Sequence, residues 1–402
     1  MRNFLFLFPA VLILCGCQSM GAAFSNTVTG AIDLVTGGGG DLEPPNELVP
    51  IEPEIEITEL WDDDVGSGTG GYQFALTLAG DDEAVFAASH DGEVAAWNLQ
   101  SGDEIFELDL DLPLSAGPSL GLDSILVGTS EAQVLALDRS TGETLWQTTV
   151  SSEVAAQPAA GDGVVVVHTG DGAVFALEEE TGKVLWSFGQ PVSRLSLRGA
   201  AAPKIVDDTV LVGFAKGRMA ALRLHDGKVI WERQITLPTG VTELERVVDA
   251  DSEPAVQNGM LYVTTYHGGV IAASLLDGEV IWQNEKVISQ SSPAVTWKSV
   301  FVTDIYGDIW SLEEASGRAY WKQTALHRRR VTGPVVFGDY LAVGDYKGYV
   351  HFLSREDGHQ VGRIRVCRSP IQVPPKVLGS LLAVYASDGT VAVLKIEALE
   401  SE

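Results

Sequence analysis

Side chains capable of chemistry are few in this chain, and they are scattered. Its 402 residues include three cysteines (Cys15, Cys17 and Cys367) and seven histidines. No His-Glu-x-x-His, Cys-x-x-Cys or EF-hand spacing brings metal ligands together. No Gly-x-Ser-x-Gly elbow or Walker loop supplies a nucleophile or a phosphate cradle. Asp62-Asp63-Asp64 and Asp81-Asp82 could attract a cation, but they read as solvated turns. Gly66-Ser67-Gly68-Thr69-Gly70-Gly71 has glycines enough to wrap a phosphate, yet it joins strand to strand, and a phosphate loop should open a helix. His168, on an apolar strand, reads as a satisfied structural residue. The expectation is no enzyme, no cofactor and no metal. Two stretches suit recognition instead. Arg194-Leu195-Ser196-Leu197-Arg198-Gly199 sets two leucines beside an arginine, and the stretch from Thr242 ends on Asp249 and Asp251. An apolar centre with a charged rim is the composition of a small binding hot spot. The alternative is internal: Leu195 and Leu197 tuck under their loop while Arg198 pairs with Asp249 or Asp251.

Composition indicates what body carries these loops. The chain is 45% hydrophobic, which excludes disorder as its main state. With 26 Lys+Arg against 55 Asp+Glu its net charge is −29, so phosphates would be repelled and a nucleic-acid partner is not expected. The 43 glycines and 9 tryptophans, against 4 methionines, suggest many short strands joined by tight turns.

The amino-terminal residues read as an address. Met1-Arg2-Asn3 is a short cationic start, and Phe4 to Leu14 is apolar apart from Pro9. Eleven residues rise about 16 Å as a helix, short of a hydrocarbon core of about 30 Å, so this is a signal segment and not a membrane span. Leu14-Cys15-Gly16-Cys17 resembles a bacterial lipobox, which implies cleavage after residue 16 and lipidation of Cys17. By the same resemblance, Gln18 in the next position favours the outer membrane. Cys367 is then the only thiol, expected as a small buried hydrophobe. Residues 17–56, with Gly37 to Gly40 and Pro44, Pro45, Pro50 and Pro53 among acidic residues, read as a flexible tether.

Residues 57–402 repeat. Leu135-Ala136-Leu137-Asp138 leads through Gly142 to Trp146, and the same pattern recurs to Trp186, Trp231, Trp282 and Trp321. Copies at Gly102 and Gly358 keep the glycine and lose the tryptophan. The period is about 40 residues. A tight turn such as Asp91-Gly92 or Asp171-Gly172 precedes each copy, and a proline such as Pro158 or Pro203 opens each inner strand. Four short strands per repeat make a propeller blade. The last copy, after Asp388-Gly389, lacks its final strand, and Ile57-Thr58-Glu59-Leu60-Trp61 is a spare strand of that type. The expected fold is therefore all-β: an eight-bladed β-propeller of four-stranded antiparallel blades, closed by the N-terminal strand. Most connections from an outer-strand tryptophan to the next proline span eleven to thirteen positions. Trp186 to Pro203 spans seventeen and Trp231 to Pro254 twenty-three. Both recognition stretches fall in these two enlarged connections, which must lie side by side on one face.

The Ala-x-Asp-x-x-x-Gly-x-x-x-Trp repeat is similar to the quinoprotein (PQQ-type) propeller repeat. Two classes share it: quinone-dependent dehydrogenases, and the BamB lipoproteins of the machinery that assembles β-barrels in the outer membrane. The dehydrogenases have adjacent cysteines against the cofactor, a calcium site and a catalytic aspartate, and this chain has no Cys-Cys pair. The loop Leu195-Ser196-Leu197-Arg198-Gly199 closely resembles one BamB loop, and Thr242 to Asp251 resembles another. That resemblance implies a non-enzymatic scaffold facing the periplasm. Leu195, Leu197, Arg198, Asp249 and Asp251 would dock on the POTRA region of BamA, with the other subunits and unfolded barrel substrates as further partners. The likeness extends to His327-Arg328 and Val343-Gly344-Asp345. It departs in the long tether, in two lost tryptophans and in Arg328-Arg329-Arg330, which reads as a solvated loop or a second contact for an acidic partner. Two alternatives remain: a quinone-dependent dehydrogenase, and a propeller binding a small ligand in its channel.

Overall fold

The computed structural model describes residues 43–70, 75–189, 201–236, 252–266 and 268–399. Cys17 and the expected signal segment lie outside them. The described residues form eight sheets. Blade 1 is Ala79–Gly80, Ala84–Ala88, Glu93–Asn98 and Glu104–Asp109. Blade 2 runs from Leu114–Leu120 to Thr144–Thr149, and a two-residue strand, Ala75–Leu76, adds in parallel to its innermost strand. Blades 3 to 7 occupy residues 159–189, 204–234, 255–284, 294–323 and 335–365, each four antiparallel strands in chain order from the channel outward. Blade 8 takes Lys376–Leu378, Leu381–Tyr385 and Thr390–Ala398 from the carboxyl end, and its outermost strand, Ile55–Asp64, from the other end of the chain. The pairing runs from Ile55 opposite Ala398 to Asp64 opposite Thr390. The expected closure holds, with the closing strand starting two residues earlier than residue 57.

Second strands are the most apolar because neighbouring blades cover both their faces. Val164–His168 and Leu381–Tyr385 are buried at every position. The glycine–tryptophan pattern has a physical cause that spans two blades. Trp146 of blade 2 donates from Nε1 to the Glu179 carbonyl of blade 3 at 2.7 Å, and Trp186, Trp231 and Trp282 repeat this toward Leu224, Leu275 and Glu314. The turn glycine of the following blade lies flat against that indole. A Cβ on Gly182 would sit 2.4 Å from Trp146, and Gly182 also has a φ of +69°. Each indole thus buries its ring and satisfies its single donor in one contact.

The same contact explains one lost tryptophan. Blade 8 is made from both chain ends, so it has no turn between its third and outermost strands. Blade 7 therefore has no glycine to pack on. Gly362 stands where the tryptophan would be, and a Cβ there would meet Ile55 at 2.7 Å. Ile55, 3% exposed, occupies that space.

Part of the stretch expected as tether already lies on the ring. The Asn46 amide donates to the His327 carbonyl at 3.0 Å, Leu48 packs against the cluster containing Leu326 and Phe301, and the Glu54 amide donates to Val361 at 2.8 Å.

Candidate functional site

Strand direction puts the hairpins between second and third strands, and all connections between blades, on one face of the ring. Two neighbouring connections there are enlarged, residues 190–203 between blades 3 and 4 and residues 235–254 between blades 4 and 5. Leu195, Leu197, Arg198, Asp249 and Asp251 fall on parts of them outside the described residues. Their stems are described, and they are buried and tied down. His168, 3% exposed, donates from Nδ1 to the Ala201 carbonyl at 3.0 Å and meets the Phe214 ring edge-on. Burial lowers its pKa, and only the bond to Ala201 and the charge of Asp171 oppose that, so the ring is neutral at pH 7. At the second loop Ile235 donates its amide to Gly217 at 2.9 Å, and the Gln234 amide group donates to the Thr236 carbonyl at 2.7 Å. Its far stem is closed by Ser252, whose Oγ both donates to the Thr264 carbonyl and accepts from the Thr264 amide at 3.1 Å. Both loops therefore spring from fixed points on adjacent blades.

Sequence reasoning read His168 as structural and missed that it holds the foot of a candidate loop. Its acceptor lies 33 residues further along, so no local spacing signals the bond.

Within the arginine run Arg330 is exposed, as a solvated loop would have it, but Arg329 differs from both readings given to the run. Arg329 is 2% exposed; its Nε and Nη2 donate to Asp345 Oδ2 at 2.9 and 2.5 Å, and Nη1 donates to the Asn46 carbonyl at 3.0 Å. His351, fully buried, reaches the same Asp345 oxygen at 3.0 Å. Asp345 Oδ1 accepts the amides of Lys347 and Tyr349, closing the hairpin turn. Arg329 is thus an internal cation neutralising a buried turn aspartate, neither a solvated residue nor a partner contact. In blade 6 Asp304 closes the equivalent turn, accepting the amides of Tyr306 and Asp308.

The other candidates have structural partners. Asp63 accepts the Trp97 indole N–H at 2.8 Å, and Asp81 caps its own turn and pairs with Arg139. The Gly66–Gly70 loop joins two strands and packs on the next hairpin, where Ser67 Oγ donates to Asp91 at 2.6 Å. His90 lies 3.2 Å from the same hydroxyl, so histidine and carboxylate converge on the serine separately instead of forming a relay. Among the described residues no group of three or more acidic, histidine or cysteine side chains is placed to hold a metal. Cys367 is half-buried and donates from Sγ to the Ser369 carbonyl at 3.2 Å; burial pushes its thiol up to about 11, so little thiolate exists at neutral pH.

The chain has relatives among known proteins. The family model described as outer membrane protein assembly factor BamB matches residues 90–323 and 312–400. The Pseudomonas aeruginosa protein of that name is 42% identical over 346 residues, 86% of this chain and 91% of the relative. The chain belongs to the BamB family. The Escherichia coli K12 BamB is 33% identical over 361 residues, covering 87% of this chain and 92% of its own. The crystal structure of BamB from Moraxella catarrhalis superposes with a TM-score of 0.76 at 26% identity, over 85% of this chain and 100% of that one. A quinohemoprotein alcohol dehydrogenase from Comamonas testosteroni superposes with a TM-score of 0.65 over 84% of this chain and 76% of its own, but at 12% identity, which shows a common fold alone.

Proposed function

We propose that this protein is a non-enzymatic subunit of the outer-membrane β-barrel assembly machinery, lipid-anchored through Cys17 and facing the periplasm. Loops 190–200 and 237–251 would dock on the POTRA repeats of BamA. The observation that carries this reading is the pair of enlarged connections on adjacent blades, rooted in buried, hydrogen-bonded stems on one face. A recognition loop on a rigid stem loses less freedom on binding. Burying Leu195 and Leu197 at a partner would contribute roughly 3–5 kcal/mol before the costs of association.

The test is a titration of residues 43–402 with the purified periplasmic part of BamA. Leu197→Ala or Arg198→Ala should weaken binding about ten-fold or more at an unchanged melting temperature. The double change Asp249→Ala with Asp251→Ala should do the same. Wild-type affinity in all of these would move the docking site elsewhere on the ring. Mass spectrometry of the N-terminal peptide tests the anchor: Cys17 should carry acyl chains, and an unmodified Cys17 would refute it.

A further inference from the structure

The central channel has the makings of a separate site. Innermost strands line it, and their register against the second strands defines equivalent positions around the ring. At one level these are Ala79, Ser119, Ala159, Ala255, Ala294 and Val335, opposite Phe86, Leu126, Val166, Tyr262, Phe301 and Ala342. In the remaining blades, 4 and 8, the residue at this level is lysine: Lys204 opposite Leu211, and Lys376 opposite Ala383. Blades 4 and 8 stand half a turn apart in a ring of eight, so the two lysines approach from opposite walls at one height.

Both line a cavity of about 290 Å³, with Gly80, Gln157 and Glu253 among its other walls. Lys204 Nζ pairs with Glu253 Oε1 at 2.7 Å. Lys376 has no ion pair or hydrogen bond among the described residues. It is open to the water of the channel, yet the walls crowd it. That burial lowers the pKa of its ammonium, Glu253 opposes the effect, and the like charge of Lys204 adds to it. Two ammonium groups to one carboxylate leave a positive surplus here, in a chain whose net charge is −29.

We propose that the channel binds a small oxyanion, a carboxylate or a phosphate, held between the ammonium groups of Lys204 and Lys376. The small residues at most of the other positions leave it room. The volume suits a compact acid, since it falls at the lower end of the range for small-molecule pockets. A lysine ammonium is a compact point charge on a flexible stem, suited to an anion of no fixed planar geometry. The site is independent of the docking loops proposed above.

The experiment is calorimetric titration of the full chain in detergent. Inorganic phosphate and succinate are tested separately, at an ionic strength held constant with chloride. Saturable binding of at least one is expected, and the comparison tells phosphate from carboxylate recognition. Lys376→Met should weaken it at least ten-fold. Glu253→Gln should tighten it several-fold, by freeing Lys204 from its competing carboxylate, and a gain cannot arise from misfolding. Absence of saturable binding by both anions, equal affinity in wild type and Lys376→Met, or weaker binding by Glu253→Gln would each overturn the proposal.

Discussion

At the scale of single residues, buried ionisable groups dominate. Arg329 is the clearest case, because among the described residues Asp345 has no other full positive charge bonded to it and is itself fully buried. Removing one partner of a buried pair leaves the other uncompensated, which costs about 3–5 kcal/mol. Arg329→Ala should lower the unfolding free energy read from urea titration by an amount in that range; a change below about 1 kcal/mol would mean that Asp345 is satisfied without it. Burial also lowers the pKa of His168 and His351. Unfolded imidazoles take up protons near pH 6.5. Over the window just below that, the unfolded chain binds more protons than the folded one, so these residues stabilise the fold above about pH 6.5 and lose that contribution as pH falls. His359 works the other way, raised by Asp357 and then Glu54, but it is exposed and screened. Acid also relieves repulsion across the carboxylate-rich surface, so the comparison between variants is the diagnostic. The fall in melting temperature from pH 7.5 to 5.5 should be smaller in His168→Gln than in wild type. An identical fall in both would show that His168 takes up its proton equally in the two states.

At the scale of the strand, the N-terminal segment Ile55–Asp64 is the element on which closure depends. Removing residues 1–64 should cost many degrees of melting temperature and expose the edges on both sides of the gap, whereas removing residues 1–42 should cost almost none. Equal melting temperatures would mean that the ring closes without its last strand. This element was legible in sequence, because Thr58-Glu59-Leu60-Trp61 matches Glu143-Thr144-Leu145-Trp146. So was the blade count, because turn glycine and outer-strand tryptophan are two halves of one contact and keep the same spacing. The role of Arg329 was not legible. Its carboxylate sits on a different hairpin, and an arginine between two other arginines has the local appearance of a solvated loop. Nor was the docking of residues 46–54 legible, since a proline-rich acidic stretch holds by backbone hydrogen bonds that composition does not reveal. The two enlarged connections were legible in sequence, in their length and in their residues, but what holds them in place was not. Their stems depend on His168 and Ser252, whose bonds cross between hairpins and strands.

At the scale of the ring, six of the eight blades lean on the next through one indole and one glycine. Gly227→Ala would drive a Cβ to 2.7 Å from the Trp186 ring, at a φ of +67° that disfavours any side chain. It should destabilise the whole propeller by roughly 2–4 kcal/mol, the combined cost of overpacking and backbone strain. Circular dichroism of thermal unfolding should show a single lowered transition. Two separate transitions would mean that the blades unfold independently.

The pairing of Ile55–Asp64 with Thr390–Ala398 also sets an order in time. A chain delivered amino end first presents one half of its lock at the outset and the other only when nearly every residue has arrived. In the interval the first strand must wait unpaired while the blades between accumulate. Non-local pairing of this kind is slow, because almost the whole chain must be looped before the contact repays its entropy. An incomplete copy has no closed form at all, so the ring itself discriminates finished molecules from unfinished ones.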